Sequence, residues 1–209
     1  MLFPVSSWMI QDGLLPELRA GDVVRLVPTL RPAGAFTASA TGAPACLPLG
    51  RDACRLTGRV VWSGPTGTVL DCGIRALLLG AEPVAPPPDS WLSGRFLTGI
   101  DPARLLPDHP CRDDAPGRDP RSRVASWWRI DRILLDTTPW IETHRPPEGW
   151  LGRCPLDLPA AAGLPDPAVV LVPDPARRSE MEIPRTQALG PAEGSASYFI
   201  DCSPAAPPA

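Results

Sequence analysis

Apolar and polar positions alternate most clearly between residues 53 and 101. From Cys54 every second residue is apolar or small (Cys54, Leu56, Gly58, Val60, Trp62), while Arg55, Thr57 and Arg59 are polar. A period of two marks a strand with one buried face. Residues 63–67 (SGPTG) read as a turn, because glycine accepts positive φ and proline presets φ near about −65°. A second strand follows, with Leu70, Cys72, Ile74, Ala76 and Leu78 on one face and Asp71 and Arg75 on the other. Residues 80–89 carry four prolines and read as a stiff extended spacer. Residues 91–100 supply a third strand, in which Leu92, Phe96 and Ile100 oppose Ser93, Arg95 and Gly99. The pattern predicts a three-strand meander whose apolar face needs a second layer.

The rest of the chain patterns less sharply. Residues 5–11 predict a short first strand. Residues 22–30 predict another, with Val24, Leu26 and Leu30 on one face; Pro28 makes it an edge strand or bends it there. Residues 31–52 read as a long loop with a weak strand signal at 35–40. Asp101 and Pro102 read as an N-cap and first helical residue, predicting one or two helical turns through Leu106. Residues 126–136 place Trp128, Ile130 and Leu134 against Arg129 and Asp131. A strand is preferred to a helix there, because Asp-Thr-Thr-Pro ends it. Residues 156–163 predict a helical turn, and 168–172, 179–183 and 195–202 predict strands.

A domain plan follows: a β-barrel or meander domain at 1–107 and a polar Pro/Arg/Asp loop or linker at 108–125. Strands at 126–202 complete the same domain or form a second small β unit, and a frayed tail occupies 203–209. One internal echo stands out. VVRLVP (23–28) precedes GPTGTVLDC (64–72), and VVLVP (169–173) precedes GPAEGSASYFIDC (190–202). Either a duplication or the bias toward Val, Gly and Pro produces it.

Composition sharpens the fold class. With 209 residues the chain can bury the core of one barrel or sandwich, or of two small domains. It holds 30 prolines and 18 glycines. Each interior proline removes a helical hydrogen bond and clashes with the preceding turn. Long helices are therefore excluded and an all-β fold with long connections is favoured. Strands with a short helix after the third are loosely similar to a five-stranded oligonucleotide-binding (OB-like) barrel, over residues 20–140 at most. The 20 basic residues are all arginine. GC-rich coding explains that, as does a need for bidentate anion contacts. The net charge of −3 supplies no global field to draw in nucleic acid.

Candidate chemistry is sparse. The cysteines stand at 46, 54, 72, 111, 154 and 202, with no CxxC pair. Cys54, Cys72 and Cys202 fall on predicted strand faces as small apolar residues. Residues 1–4 lack the basic start of a secretory signal, and no run approaches the roughly 20 apolar residues of a membrane span. A reduced, cytoplasmic protein without membrane contact is expected. His109 and Cys111 suggest a nucleophile and base, but an exposed Pro-flanked loop fits them better. Cys46, Cys54, His109 and Cys111 are enough ligands for zinc, yet only the last two are close in sequence. Glycine-rich phosphate loops are absent. No catalytic residue, metal or cofactor is expected.

Tryptophan is the remaining signal, seven residues against one tyrosine. Trp62 and Trp128 fall on apolar faces. Trp91 and Trp127 fall on the opposite ones, near arginines. Arg55, Arg59, Trp91, Arg95, Trp127 and Arg129 are therefore the expected binding surface. The reading is a non-catalytic binding or adaptor module that docks a protein partner. The alternative is a single-stranded nucleic-acid binder that stacks bases on the same face.

Overall fold

The computed structural model describes residues 1–64, 67–79, 86–101, 124–143, 170–174, 176–186 and 197–208. The elements begin with β1 (Leu2–Ser6), α1 (Ser7–Gln11), β2 (Val23–Leu26), β3 (Pro28–Ser39), β4 (Ala45–Pro48), β5 (Ala53–Gly64) and β6 (Gly67–Asp71). They continue with β7 (Arg75–Leu78), β8 (Trp91–Ile100), β9 (Ser126–Asp136), β10 (Trp140–Thr143), β11 (Val170–Pro173), β12 (Glu180–Ile183) and β13 (Ser197–Pro204). The protein is nearly all β, as its proline content and alternation predict. Two compact units divide the chain, Met1–Leu135 with Glu182–Ala209, and Asp136–Met181.

In the first unit, six strands form a sheet in the order β4-β5-β6-β7-β3-β8, and β8 also pairs with β5. Its ladders are antiparallel except the parallel β3–β7 pair. The alternation read from Cys54 onward is real. Cys54, Leu56 and Val60 are buried, with Leu92 and Phe96 beside them, while Arg55 and Arg59 are exposed. The phase breaks after Val60, where a bulge against β6 shifts the register. Trp62 is consequently half-buried against Val69 and Leu77.

The expected second strand is two strands. β6 turns back on itself as β7, with Asp71 opposite Arg75. Gly73 takes φ +96° and donates its N–H to the Asp71 carboxylate at 3.1 Å. An aspartate bonding two residues ahead, with a glycine in the left-handed region, is a tight turn. Apolar alternation on both sides of it conceals the reversal. Both faces of the hairpin are buried: Leu70, Ala76 and Leu78 join one cluster and Val69 and Leu77 another.

Two further expectations are corrected in this sheet. The strand read over 22–30 breaks at Val27, and its halves enter different sheets. Pro28 thus marks a bend. Residues 31–52 are not a loop: β3 runs on to Ser39, and β4 follows. β3 is held by nine partners on β8 across a register shift, so long-range pairing outweighs its weak local pattern.

The other sheet of this unit runs β1-β13-β9-β12, with β2 also on β9. Its core is larger-grained. Trp128 and Phe3 meet edge to face at 5.3 Å, and Tyr198, Ile130, Ile133 and Ile200 surround them. Such a pair adds about 0.5–1.5 kcal/mol beyond area burial. The strand expected at 126–136 is β9. A bulge at Asp131 shifts its phase, so that Ile133 is wholly buried and Leu134 lies on the next position. The first strand sits earlier than expected, at β1, and residues 7–11 are helical. β13 extends to Pro204, and Ala205 donates to the Trp127 carbonyl at 2.9 Å, so the tail is anchored at its start.

In the second unit β10 and β11 form an antiparallel pair. Thr137 and Thr138 bond to Ser179, with Thr137 Oγ1 2.9 Å from Ser179 Oγ. The helical turns expected at 102–106 and 156–163, the loop at 108–123 and both histidines lie outside the described residues.

Candidate functional site

β5 and β8 define an outer face by their register. Arg55 stands opposite Arg95, Thr57 opposite Ser93, and Arg59 opposite Trp91. Directly opposite residues of an antiparallel pair share one face. Four of the six residues expected at the surface are therefore together. The middle row is fixed by a 2.9 Å hydrogen bond between Thr57 Oγ1 and Ser93 Oγ. Leu47 of β4 lies opposite Arg55 and is 58% exposed.

Charges are unevenly distributed on this face. Arg59 has Asp71 opposite it on β6 and reaches Asp89 at 3.9 Å. The Arg55 and Arg95 side chains make no ion pair or hydrogen bond among the described residues, and both residues are exposed. Like charges directly opposite each other in a sheet repel. Trp91 is half-buried. A Cβ built on Gly42 would come within 2.8 Å of its indole, so the backbone at Gly42 lies against the ring.

Trp127 and Arg129 lie in the other sheet. On β9 they face Arg25 and Val23 of β2. Arg129 Nε donates to Asp131 Oδ1 at 2.9 Å and its Nη2 to Ser203 Oγ at 3.4 Å. The Arg129 hydrogen bond, followed by that of Ser203, holds the Asp131 carboxyl below its ordinary value. The expected six-residue surface is thus two separate faces: on one Arg55 and Arg95 are unpaired among the described residues, and on the other Arg129 is paired with Asp131.

The inner side of β5 lines a cavity that the sequence pattern does not reveal. Its volume is about 280 Å³. All four described cysteines, Cys46, Cys54, Cys72 and Cys202, line it, together with Thr98 and Trp128. Thr98 closes one side, its hydroxyl donating to the carbonyls of Leu2 at 3.0 Å and Asp52 at 3.2 Å. Burial pushes the Cys72 thiol up to about 11 and the Cys202 thiol up to about 12. Cys46 differs, being exposed on the four-residue strand β4. A hydrogen bond from Cys54 draws the Cys46 thiol down to about 7, and the same bond together with burial raises that of Cys54. The signal for this grouping is weak in sequence: Cys46 falls in a stretch without alternation, between Pro44 and Pro48.

Among the described residues no group of three or more His, Cys, Asp or Glu is placed to hold a metal ion. No helix among them is long and apolar enough to cross a membrane. No protein-family model, no curated protein and no solved structure matches the chain.

Proposed function

We propose that the chain is a non-catalytic binding module that docks an acidic segment of a protein partner on the outer face of β4, β5 and β8. The facing pair Arg55 and Arg95 carries this reading. Two guanidinium groups across one ladder, without carboxylates among the described residues, cost repulsion that a bound carboxylate relieves. Leu47, exposed in the same row, adds an apolar contact. Arginine at such a site forms bidentate bonds to a carboxylate.

The wiring also supports a small closed barrel as the scaffold. β5, β6, β7, β3 and β8 each pair with two of the others, so their ladders run in a ring. The single-stranded nucleic-acid reading draws less support. One side of the Trp91 indole is taken by Gly42, which leaves less of it for a stacked base.

The test is an anisotropy titration of the full chain with fluorescein-labelled oligo-glutamate and with oligo-deoxythymidylate of equal charge, at low and high salt. Salt-sensitive peptide binding, lost in Arg55→Glu/Arg95→Glu and kept in Arg129→Glu, is the expected result. Tighter binding of the oligonucleotide would replace this reading with the nucleic-acid one. Binding of neither probe would remove both.

A further inference from the structure

The cysteine cavity stands apart from the outer face, and its chemistry is independent of any docked partner. Cys46 lies opposite Leu56 and Cys54 opposite Pro48, so the two cysteines are diagonal neighbours across the β4–β5 ladder. Each thiol shifts the titration of the other, that of Cys46 downward and that of Cys54 upward. One is exposed at the mouth of the cavity; the other is 2% exposed in its wall. A reactive thiol at a surface with a second thiol against it is the arrangement of an attacking and a resolving cysteine.

We propose that Cys46 and Cys54 form a peroxide-reactive pair that closes reversibly to a disulfide. The Cys46 thiolate attacks one oxygen of hydrogen peroxide. The O–O bond breaks, and the departing hydroxide takes a proton to leave as water. Cys46 is then a sulfenic acid. The Cys54 sulfur attacks the Cys46 sulfur, the S–O bond breaks, and hydroxide leaves with the Cys54 proton as a second water. In sum the two thiols lose two protons and two electrons, and the peroxide gains them as it becomes two waters.

The exposure of Cys46 on the terminal strand β4 favours this pair over the others lining the cavity. Diagonal neighbours start roughly 7–8 Å apart at Cα, whereas a disulfide closes best at about 5.5–6 Å. One strand must therefore move inward. β4 is the one best placed to do so: it has four residues, all exposed, and among the described residues it pairs only with β5. Cys72 and Cys202 are buried and their thiols stay protonated at neutral pH, so they are poor first nucleophiles. The lowered thiol of Cys46 supplies the thiolate that peroxide requires.

The experiment treats the reduced full chain with a slight excess of hydrogen peroxide and maps its peptides without reduction. A Cys46–Cys54 linkage, reversed by dithiothreitol, is the expected result. Cys46→Ser should abolish it. Cys54→Ala should leave Cys46 as a sulfenic acid that dimedone captures. At pH 7 iodoacetamide should label Cys46 about tenfold or more faster than Cys72 or Cys202 in the wild-type chain. The proposal falls if peroxide links other cysteines instead, if Cys46 is over-oxidised without linking to Cys54, or if alkylation is no faster at Cys46. Should Cys54→Ala fail to fold, the wild-type map and the alkylation rates decide it.

Discussion

Arg55 and Arg95 face each other across β5 and β8 with no carboxylate partner among the described residues. On β9, by contrast, Arg129 donates to Asp131 at 2.9 Å and Arg132 to Asp201 at 3.1 Å. Both regions look alike in the sequence, an alternating strand with arginine and tryptophan on the polar side. They differ in what register sets beside the arginines. Asp131 sits at a bulge, on the same side as Arg129, and Asp201 arrives from β13. Alternation selects a face, and pairing selects the charge that the face meets.

Four experiments put this contrast at risk. The largest effect is expected on β9, where the two tryptophans lie on opposite sides. Trp128→Ala empties the centre of its core and should cost about 3–5 kcal/mol in urea unfolding. Half-buried Trp127 should cost about 1 kcal/mol on the same change. Equal losses would show that the two sides of β9 are not distinct. Next, Arg55→Glu/Arg95→Glu should weaken oligo-glutamate binding tenfold or more, about 1.4 kcal/mol. Arg129→Glu should change it less than about twofold. A comparable loss from both variants would mean that neutralised and unpaired arginines contribute alike.

Stability gives a smaller reading in the opposite direction. Arg95→Gln removes a like-charge opposition and should raise the unfolding free energy measured in urea by about 0.2–1 kcal/mol. Added salt should shrink that gain, since screening already weakens the repulsion. A loss of stability would show that Arg95 is supported by a partner. The smallest effect concerns Asp131. Its folded-state carboxyl is held below the ordinary value. The contribution is therefore present above the unfolded carboxylate pKa and lost as pH falls through the lowered folded one. Carboxyl NMR should place its midpoint below that of an unpaired aspartate, and Arg129→Gln should bring it back up. An unmoved midpoint would remove the claim that Arg129 is engaged.

Legibility followed the reach of the interactions involved. β8 and β9 were readable from alternation because one face of each is buried throughout most of its length. Arg55, Arg59, Trp91 and Arg95 share a face, since two neighbouring strands with matching alternation present their polar residues on one side. Trp127 and Arg129 lie in the other sheet, and alternation carries no information about which sheet a strand joins. The β6–β7 reversal was missed at Asp71-Cys72-Gly73, where apolar periodicity continued through a turn that the Asp71 side chain closes. β4 is not legible because its four residues, preceded by Pro44 and ending in Pro48, have no period to read.

The sequence alone determined that this chain builds strands and not long helices, through proline's missing N–H and the two-residue period of its apolar side chains. It also determined which side of β5 and β8 turns outward, because that follows from the backbone of a single strand. The fold decided that four cysteines spread from 46 to 202 line one cavity, and that among the described residues one arginine pair lacks the carboxylates another has. Those outcomes depend on partners supplied by distant strands, whose register is set by burial and hydrogen bonding across the sheet and not by neighbours along the chain.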